Sequence, residues 1–287
     1  MNTNLSVAIA TFNEEENIGE CLSSVKDIAS EIIIVDGSST DKTVEIARQF
    51  GAKVEITKNH PIFHINKQRS FDLCTGDWIL YLDADESVSR ELAKEIQYVL
   101  AAKPGELVEY EKKVLSKLFI KHTELLEKRD GPIGTKEGDY VAFFFPRLNL
   151  FLGKYLRFGG TYPDGVIRLF KRNKAYLPCK SVHEQMVVEG RVGWLGSNLL
   201  HNDSPNFARY LKRNSRYVNL IRDELLKNPK ALSLSFATSY LIIKPISWFL
   251  ITTIRNKGIL DGWRGLLFSF FSALRFPRAY LRYLKLR

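Results

Sequence analysis

Residues 31–35, Glu31-Ile32-Ile33-Ile34-Val35, constrain the fold more than any other stretch. A continuous Ile/Val run of this kind belongs to a parallel strand buried on both faces. Similar signals recur around it: Leu5 to Thr11, Lys53 to Thr57, and Trp78 to Leu82. Helical signals alternate with them. Asn13 can cap a helix through about Val25, with Glu14, Glu15 and Glu16 in its first turn, where the helix dipole favours acids. Thr40 or Asp41 can cap a second helix to about Phe50, ending at Gly51, and a third runs near Ile65 to Cys74 and ends at Gly76. This β-α-β-α order predicts an α/β fold with a mostly parallel sheet and helices on both faces.

The pattern changes from Pro104 to about Asp139, where Leu107, Val114, Leu118 and Leu125 fall at helical spacing in a charged segment. This predicts an inserted amphipathic helix or hairpin acting as a flap. Tyr140 to Leu152, Val166 to Phe170 and Val192 to Leu200 read as strands, and Asn206 to Leu226 as a basic helix. Residues 231–287 form an appendage. Leu232 to Ile254 is apolar over membrane-spanning length but interrupted by Lys244-Pro245, and no acidic residue follows Asp261. Arg275, Arg278, Arg282, Lys285 and Arg287, interleaved with Tyr280, Tyr283 and Leu284, predict a helix lying in an anionic membrane surface. A lysine at mid-bilayer costs roughly 2.5–3.5 kcal/mol on insertion scales, which disfavours a span.

At 287 residues with a formal net charge of +10, the chain can bury a large core and calls for an anionic partner: nucleotide diphosphate, nucleic acid or anionic lipid. No nucleic-acid recognition motif is visible. Cys21, Cys74 and Cys179 are widely spaced and form no C-x-x-C, which predicts reduced thiols in the cytosol rather than a disulfide or zinc framework. Leu5 to Phe12 has no basic leader and runs into acidic residues, so a signal peptide is not expected.

Four features fall at the ends of successive strands, where open α/β sheets bind ligands. Thr11-Phe12-Asn13-Glu14 follows the first and Asp36-Gly37-Ser38 the second; Lys67 and Arg69 precede the fourth, which ends in Asp83-Ala84-Asp85. Two aspartates one residue apart suit a hard divalent cation, Mg²⁺ or Mn²⁺, which can bridge to a diphosphate that the carboxylates alone would repel. Lys67 and Arg69 would neutralise phosphate oxygens that the ion does not reach.

On these residues the chain resembles the family 2 glycosyltransferases of the GT-A fold, a Rossmann-like, mostly parallel α/β architecture. The matching pieces are Val7-Ala8-Ile9-Ala10-Thr11-Phe12-Asn13-Glu14, Ile34-Val35-Asp36-Gly37-Ser38-Ser39-Thr40-Asp41 and Leu82-Asp83-Ala84-Asp85-Glu86. Tyr162-Pro163-Asp164, Arg168-Leu169-Phe170, Val182-His183-Glu184 and Leu200-His201 are similar to the branch typified by the lipopolysaccharide inner-core WaaE glucosyltransferases. Val35 stands where the family commonly has the first Asp of D-D-G-S. The resemblance implies that Asp36 accepts a hydrogen bond from the pyrimidine N–H, and that Thr11, Asn13 and Glu14 line the base and ribose. Asp83 would touch the ribose or the metal, Asp85 would hold the metal, and His201 would complete its shell.

The resemblance covers roughly residues 5–220, and the expected domain plan is a glycosyltransferase domain over 1–230, divided into a nucleotide-sugar half (1–103), the flap (104–139) and an acceptor half (140–230), then a membrane-associating tail (231–287) read from its composition. Inverting transfer needs a group to take the acceptor hydroxyl proton. Glu184 is the first candidate; Asp164 is the reserve base or an acceptor contact. The expected activity is hexose transfer from a nucleotide sugar, UDP-linked by expectation, to a lipid-linked saccharide such as lipopolysaccharide core, at the cytoplasmic face of the inner membrane. A polyprenyl-phosphate sugar synthase and a non-enzymatic membrane-surface nucleotide-binding module are the competing readings. A sugar nucleotidyltransferase is disfavoured because the acidic Glu14-Glu15-Glu16 loop would repel a triphosphate.

Overall fold

The computed structural model describes residues 4–180, 185–229 and 231–286. The chain divides into two compact units, Met1–Arg147 with Pro163–His201, and Leu148–Tyr162 with Asn202–Arg287.

The first unit is built on β1 (Leu5–Thr11), α1 (Ile18–Val25), β2 (Glu31–Asp36), α2 (Thr43–Gln49), β3 (Lys53–Ile56), α3 (His64–Asp72), β4 (Trp78–Asp83), β5 (Glu86–Val88) and α4 (Arg90–Ala101). The insertion follows as α5 (Pro104–Val114) and α6 (Lys117–Asp130). Then come β6 (Thr135–Phe145), β7 (Arg147–Phe151), β8 (Lys154–Leu156), β9 (Val166–Lys171), β10 (Ala175–Tyr176), β11 (Val187–Val188), β12 (Arg191–Trp194) and β13 (Leu199–Ser204). The chain passes between the units within β7 and within β13. The main sheet has the order β12-β6-β9-β4-β1-β2-β3. β1 pairs parallel with β2 and β4, and β9 enters antiparallel between β4 and β6. The expected β2 strand is buried from Ile32 to Asp36, as a strand covered on both faces must be. Its register with β1 sets Thr11 opposite Asp36, while β4 sets Asp83 opposite Ala10, so both acids reach one edge.

The helix starts differ from expectation. Asn13 does not cap α1, which begins at Ile18; Asn13 adopts φ 54°, in the left-handed region that asparagine tolerates best among side-chain-bearing residues. Its Oδ1 accepts from the Thr40 N–H at 2.9 Å and its own N–H donates to Ser39 Oγ at 2.8 Å, so it ties two loops together. α2 begins at Thr43, because the Asp41 carboxylate closes a local turn on the Thr43 N–H at 3.0 Å. The insertion is a pair of helices with Leu107 and Phe119 buried, and the sheet strand β6 already starts at Thr135, inside the span expected for the flap. The expected strand over Val192 to Leu200 is two strands, β12 and β13, turning where Glu95 accepts from the Gly196 and Ser197 N–H groups.

In the second unit α7 (Phe207–Lys227), capped by Asn206, packs on the helix Arg275–Leu284. Leu225 clusters with Tyr280 and Tyr283, and Arg282 bonds Asn219 and Ser215. For that reason α7 groups with the C-terminal helices, and the break does not fall at residue 230 as expected. Leu234–Arg255 is one 22-residue helix whose most apolar 18-residue window has a mean hydropathy of 1.4 and is 11% buried; its length and composition suffice to cross a membrane. The helix runs through Lys244-Pro245, with the backbone widened to i→i+5 turns at Ser239–Ile243 and Ile251–Arg255. Phe236 and Tyr240 pack inward on the tyrosine cluster, whereas Ile242, Ile243, Ile246 and Ile254 are exposed. The Asp261 carboxylate accepts from the Arg157 and Phe158 N–H groups, joining the hairpin β7–β8 to the tail.

Candidate active site

Asp83, at the tip of β4, sits between two cations. Its Oδ1 accepts from Lys67 Nζ of α3 at 2.5 Å and from the Tyr81 hydroxyl at 3.0 Å, and its Oδ2 accepts from Arg168 Nη2 of β9 at 2.6 Å. The Tyr81 ring lies under both, 4.9 Å from the ammonium and 4.3 Å from the guanidinium carbon. Burial by itself would push the Asp83 carboxyl up, but Lys67 and Arg168 override it and hold the group well below the usual carboxylate range. Burial likewise opposes the charge on Lys67, and Asp83 overcomes it, so the ammonium is raised above its ordinary value.

Glu86 extends the network. Its Oε1 accepts from Arg168 at 2.7 Å and from Arg147 at 2.9 Å, and its Oε2 accepts from the Asp83 N–H at 3.0 Å. The Glu86 side chain is wholly buried, so the arginines supply the counter-charge that a buried carboxylate requires. Arg147 also donates twice to Asp164 Oδ2, at 3.1 and 2.9 Å. Asp164 therefore belongs to the same network as Asp83. Asp164 has φ 39°, another left-handed position.

Asp85 and His201 meet beside this network. Pairing of β13 with β5 sets His201 opposite Glu86, and His201 Nε2 stands 3.4 Å from Asp85 Oδ2. Among the described residues no group of three or more His, Cys, Asp or Glu side chains is arranged to hold a metal ion. The carboxylate–imidazole pair nevertheless fits a hard or borderline cation that draws its remaining ligands from diphosphate oxygens and water. Both oxygens of Asp83, the other expected ligand, are engaged by the chain's own cations.

At the other tips, the buried Asp36 accepts from Thr11 Oγ1 at 2.8 Å and from the Ser39 N–H and Oγ at 2.7 and 2.6 Å. A carboxylate offers about four acceptor positions, so the chain fills most of them. Glu14 accepts from Asn17 Nδ2 at 2.7 Å, and its N–H donates to Thr43 Oγ1 at 2.8 Å. Arg69 is not brought to Asp83; it pairs with Glu55 at 2.9 and 3.2 Å on an exposed face. Residues two apart on a helix diverge by about 200°, which separates Arg69 from Lys67. Glu184 lies outside the described residues. Arg147 was missed by the sequence reading, since its partners lie 17 and 61 residues away.

These tips define the class: an open α/β ligand site at the carboxyl ends of parallel strands. Residues 6–146, just under half of the chain, match the family model described as Glycosyl transferase family 2. An uncharacterized glycosyltransferase of Rickettsia felis is 47% identical over 100 residues, 34% of each chain, and one of Rickettsia typhi is 45% identical over 100 residues, 34% of this chain and 33% of the relative. Glycosyltransferase SunS of Bacillus phage SPbeta is 37% identical over 91 residues, 30% of this chain and 21% of the relative. The chain thus spans about a third of the length of these Rickettsia relatives. Among solved structures, glucosyl-3-phosphoglycerate synthase from Mycobacterium tuberculosis with phosphoglyceric acid is 26% identical over 29% of this chain and 34% of that one, at a TM-score of 0.27. The same enzyme with Mn²⁺, UDP and glucosyl-3-phosphoglycerate aligns at 23% identity over 36% and 41%, at 0.31.

Proposed function

We propose that the chain is an inverting glycosyltransferase that moves a hexose from a nucleotide sugar, UDP-linked, to a lipid-linked saccharide at the cytoplasmic face of a membrane. The observation that carries this reading is the convergence of Asp85 and His201, 3.4 Å apart, beside the cation-flanked Asp83 at the tip of β4. The family 2 domain in residues 6–146 supports it.

Thr11, Asn13, Glu14 and Asp36 shape the base and ribose end. Lys67 and Arg168 face the phosphates as fixed cations, and Asp83 holds them in place and offers an acceptor to the ribose. Asp85 and His201 would hold a divalent cation, Mg²⁺ or Mn²⁺. Bound there, that ion would stabilise the charge developing on the leaving diphosphate, a term often worth several kcal/mol. Glu184 takes the acceptor hydroxyl proton, and Asp164, gripped by Arg147, contacts the acceptor or substitutes as base. The exposed isoleucines of Leu234–Arg255 and the basic Arg275–Leu284 helix support association with an anionic lipid surface, a lipopolysaccharide-type acceptor being one substrate presented there.

The test is a donor-hydrolysis screen of the purified chain with UDP-, GDP- and dTDP-sugars, with Mg²⁺ or Mn²⁺ and after chelation. Cation-dependent release of UDP, lost in Asp85→Ala, is the expected result. Hydrolysis that persists unchanged in Asp85→Ala with excess Mn²⁺ would refute the metal assignment. Glu184→Gln should bind UDP normally and fail to transfer; parental transfer would move the base to Asp164.

A further inference from the structure

We infer that the helical insertion α5–α6 is a positioning device for Asp164, with His122 acting through the Asp164-Gly165 backbone. The inference rests on the reading above, in which Asp164 faces the acceptor. No motif explains the insertion, yet its second helix reaches the edge of the site. The Gly165 N–H donates to His122 Nε2 at 3.0 Å, which requires that nitrogen to be the unprotonated one. Phe119, His122 and Thr123 lie on one face of α6 and all meet Trp194. Phe119 stacks on it with centroids 4.4 Å apart, His122 meets its edge at 5.9 Å, and Thr123 Oγ1 accepts from its Nε1–H at 3.1 Å.

Gly165 fits this corner because it has no side chain: a Cβ there would stand 2.2 Å from Trp194 Cη2 and 3.0 Å from His122 Cδ2. The preceding residue, Asp164, is held at φ 39° and aims its Oδ2 at Arg147, which continues through Glu86 to the Asp83 N–H. A continuous set of bonds therefore runs from α6 to the tip of β4. Burial keeps the His122 imidazole below its ordinary pKa, with Arg129 assisting and Asp164 opposing, so the acceptor form prevails.

The test uses the full chain and compares the parent with His122→Leu, which deletes the acceptor, and His122→Gln, whose amide oxygen can replace it. Backbone hydrogen exchange at Gly165 is read together with UDP affinity and the rate of UDP-glucose hydrolysis in Mn²⁺. Expected for His122→Leu are Gly165 exchange faster by about tenfold, hydrolysis slower by about tenfold, and a UDP Kd unchanged; His122→Gln restores both toward the parent. Parental exchange and rate in His122→Leu would overturn the inference, as would equal damage in both variants, which marks a packing role alone. If His122→Leu fails to fold, His122→Gln decides: slow, parent-like Gly165 exchange supports the inference and fast exchange sinks it. A parent that binds no UDP and hydrolyses no UDP-glucose counts against the functional reading, while Gly165 exchange still decides whether His122 holds the loop.

Discussion

His201 Nε2 lies 3.4 Å from Asp85 Oδ2 because the antiparallel pairing of β13 with β5 sets His201 opposite Glu86, the residue after Asp85. Two side chains proposed as metal ligands, more than a hundred residues apart in sequence, are brought together by one strand pairing.

The first prediction concerns that pair. Asp85→Ala and His201→Ala should each weaken Mn²⁺ binding by at least tenfold, on the order of 1.4 kcal/mol per decade. Titration followed by the paramagnetic signal of free Mn²⁺ measures it. Parental affinity in both variants would remove the metal from this position.

Glu86 supplies the second. Glu86→Ala leaves Arg147 and Arg168 buried without their shared counter-charge, and losing one partner of a buried ion pair costs about 3–5 kcal/mol. Urea unfolding should show a shift of that size. A shift under about 1 kcal/mol would mean that the existing pairs of Arg168 with Asp83 and Arg147 with Asp164 suffice as counter-charge.

The third is a pH dependence. Glu31, at the start of β2, accepts from Ser6 Oγ, from the Thr75 N–H and hydroxyl, and from Lys53 Nζ. Burial tends to raise its pKa, but these donors bring it down to about 2. The folded pKa is therefore below the unfolded value of about 4.3. The stabilisation is present above that unfolded value and is lost as pH falls through the window toward 2. Comparing Glu31→Gln with the parent by thermal unfolding at pH 6 and pH 3, the difference should be larger at pH 6. Equal differences at both pH values would contradict the assignment.

The fourth concerns the tail. Replacing Ile243 and Ile246 by Glu puts charge on the exposed face of Leu234–Arg255. Flotation with vesicles of anionic lipid should recover the parent and leave most of the double variant in the soluble fraction, and neutral vesicles should recover less of the parent. Identical recovery of both proteins from both vesicle types would rule out lipid association through this face.

Much of the first unit could be read from residue order, for physical reasons. β2 announces itself because a strand covered on both faces has no need of polar alternation. Asp83 could be placed because it closes β4, and Asp85 follows it in the turn to β5. What escaped depends on distance or on a single torsion angle. Arg147 meets Glu86 across 61 positions, and no local pattern encodes that meeting. Asn13 resembles a helix cap in sequence, but its left-handed backbone angle turns it toward Thr40. Arg69 was grouped with Lys67 by proximity in the chain, although the helix turns the two away from each other.

The pairing of Asp83 with Lys67 and Arg168 bears on how the chain holds together with no cation bound. With Asp83 already neutralised by the chain's own cations, the fold does not wait for an ion in order to assemble. A chelator should therefore silence the protein without melting it, and activity should return as soon as the cation is restored.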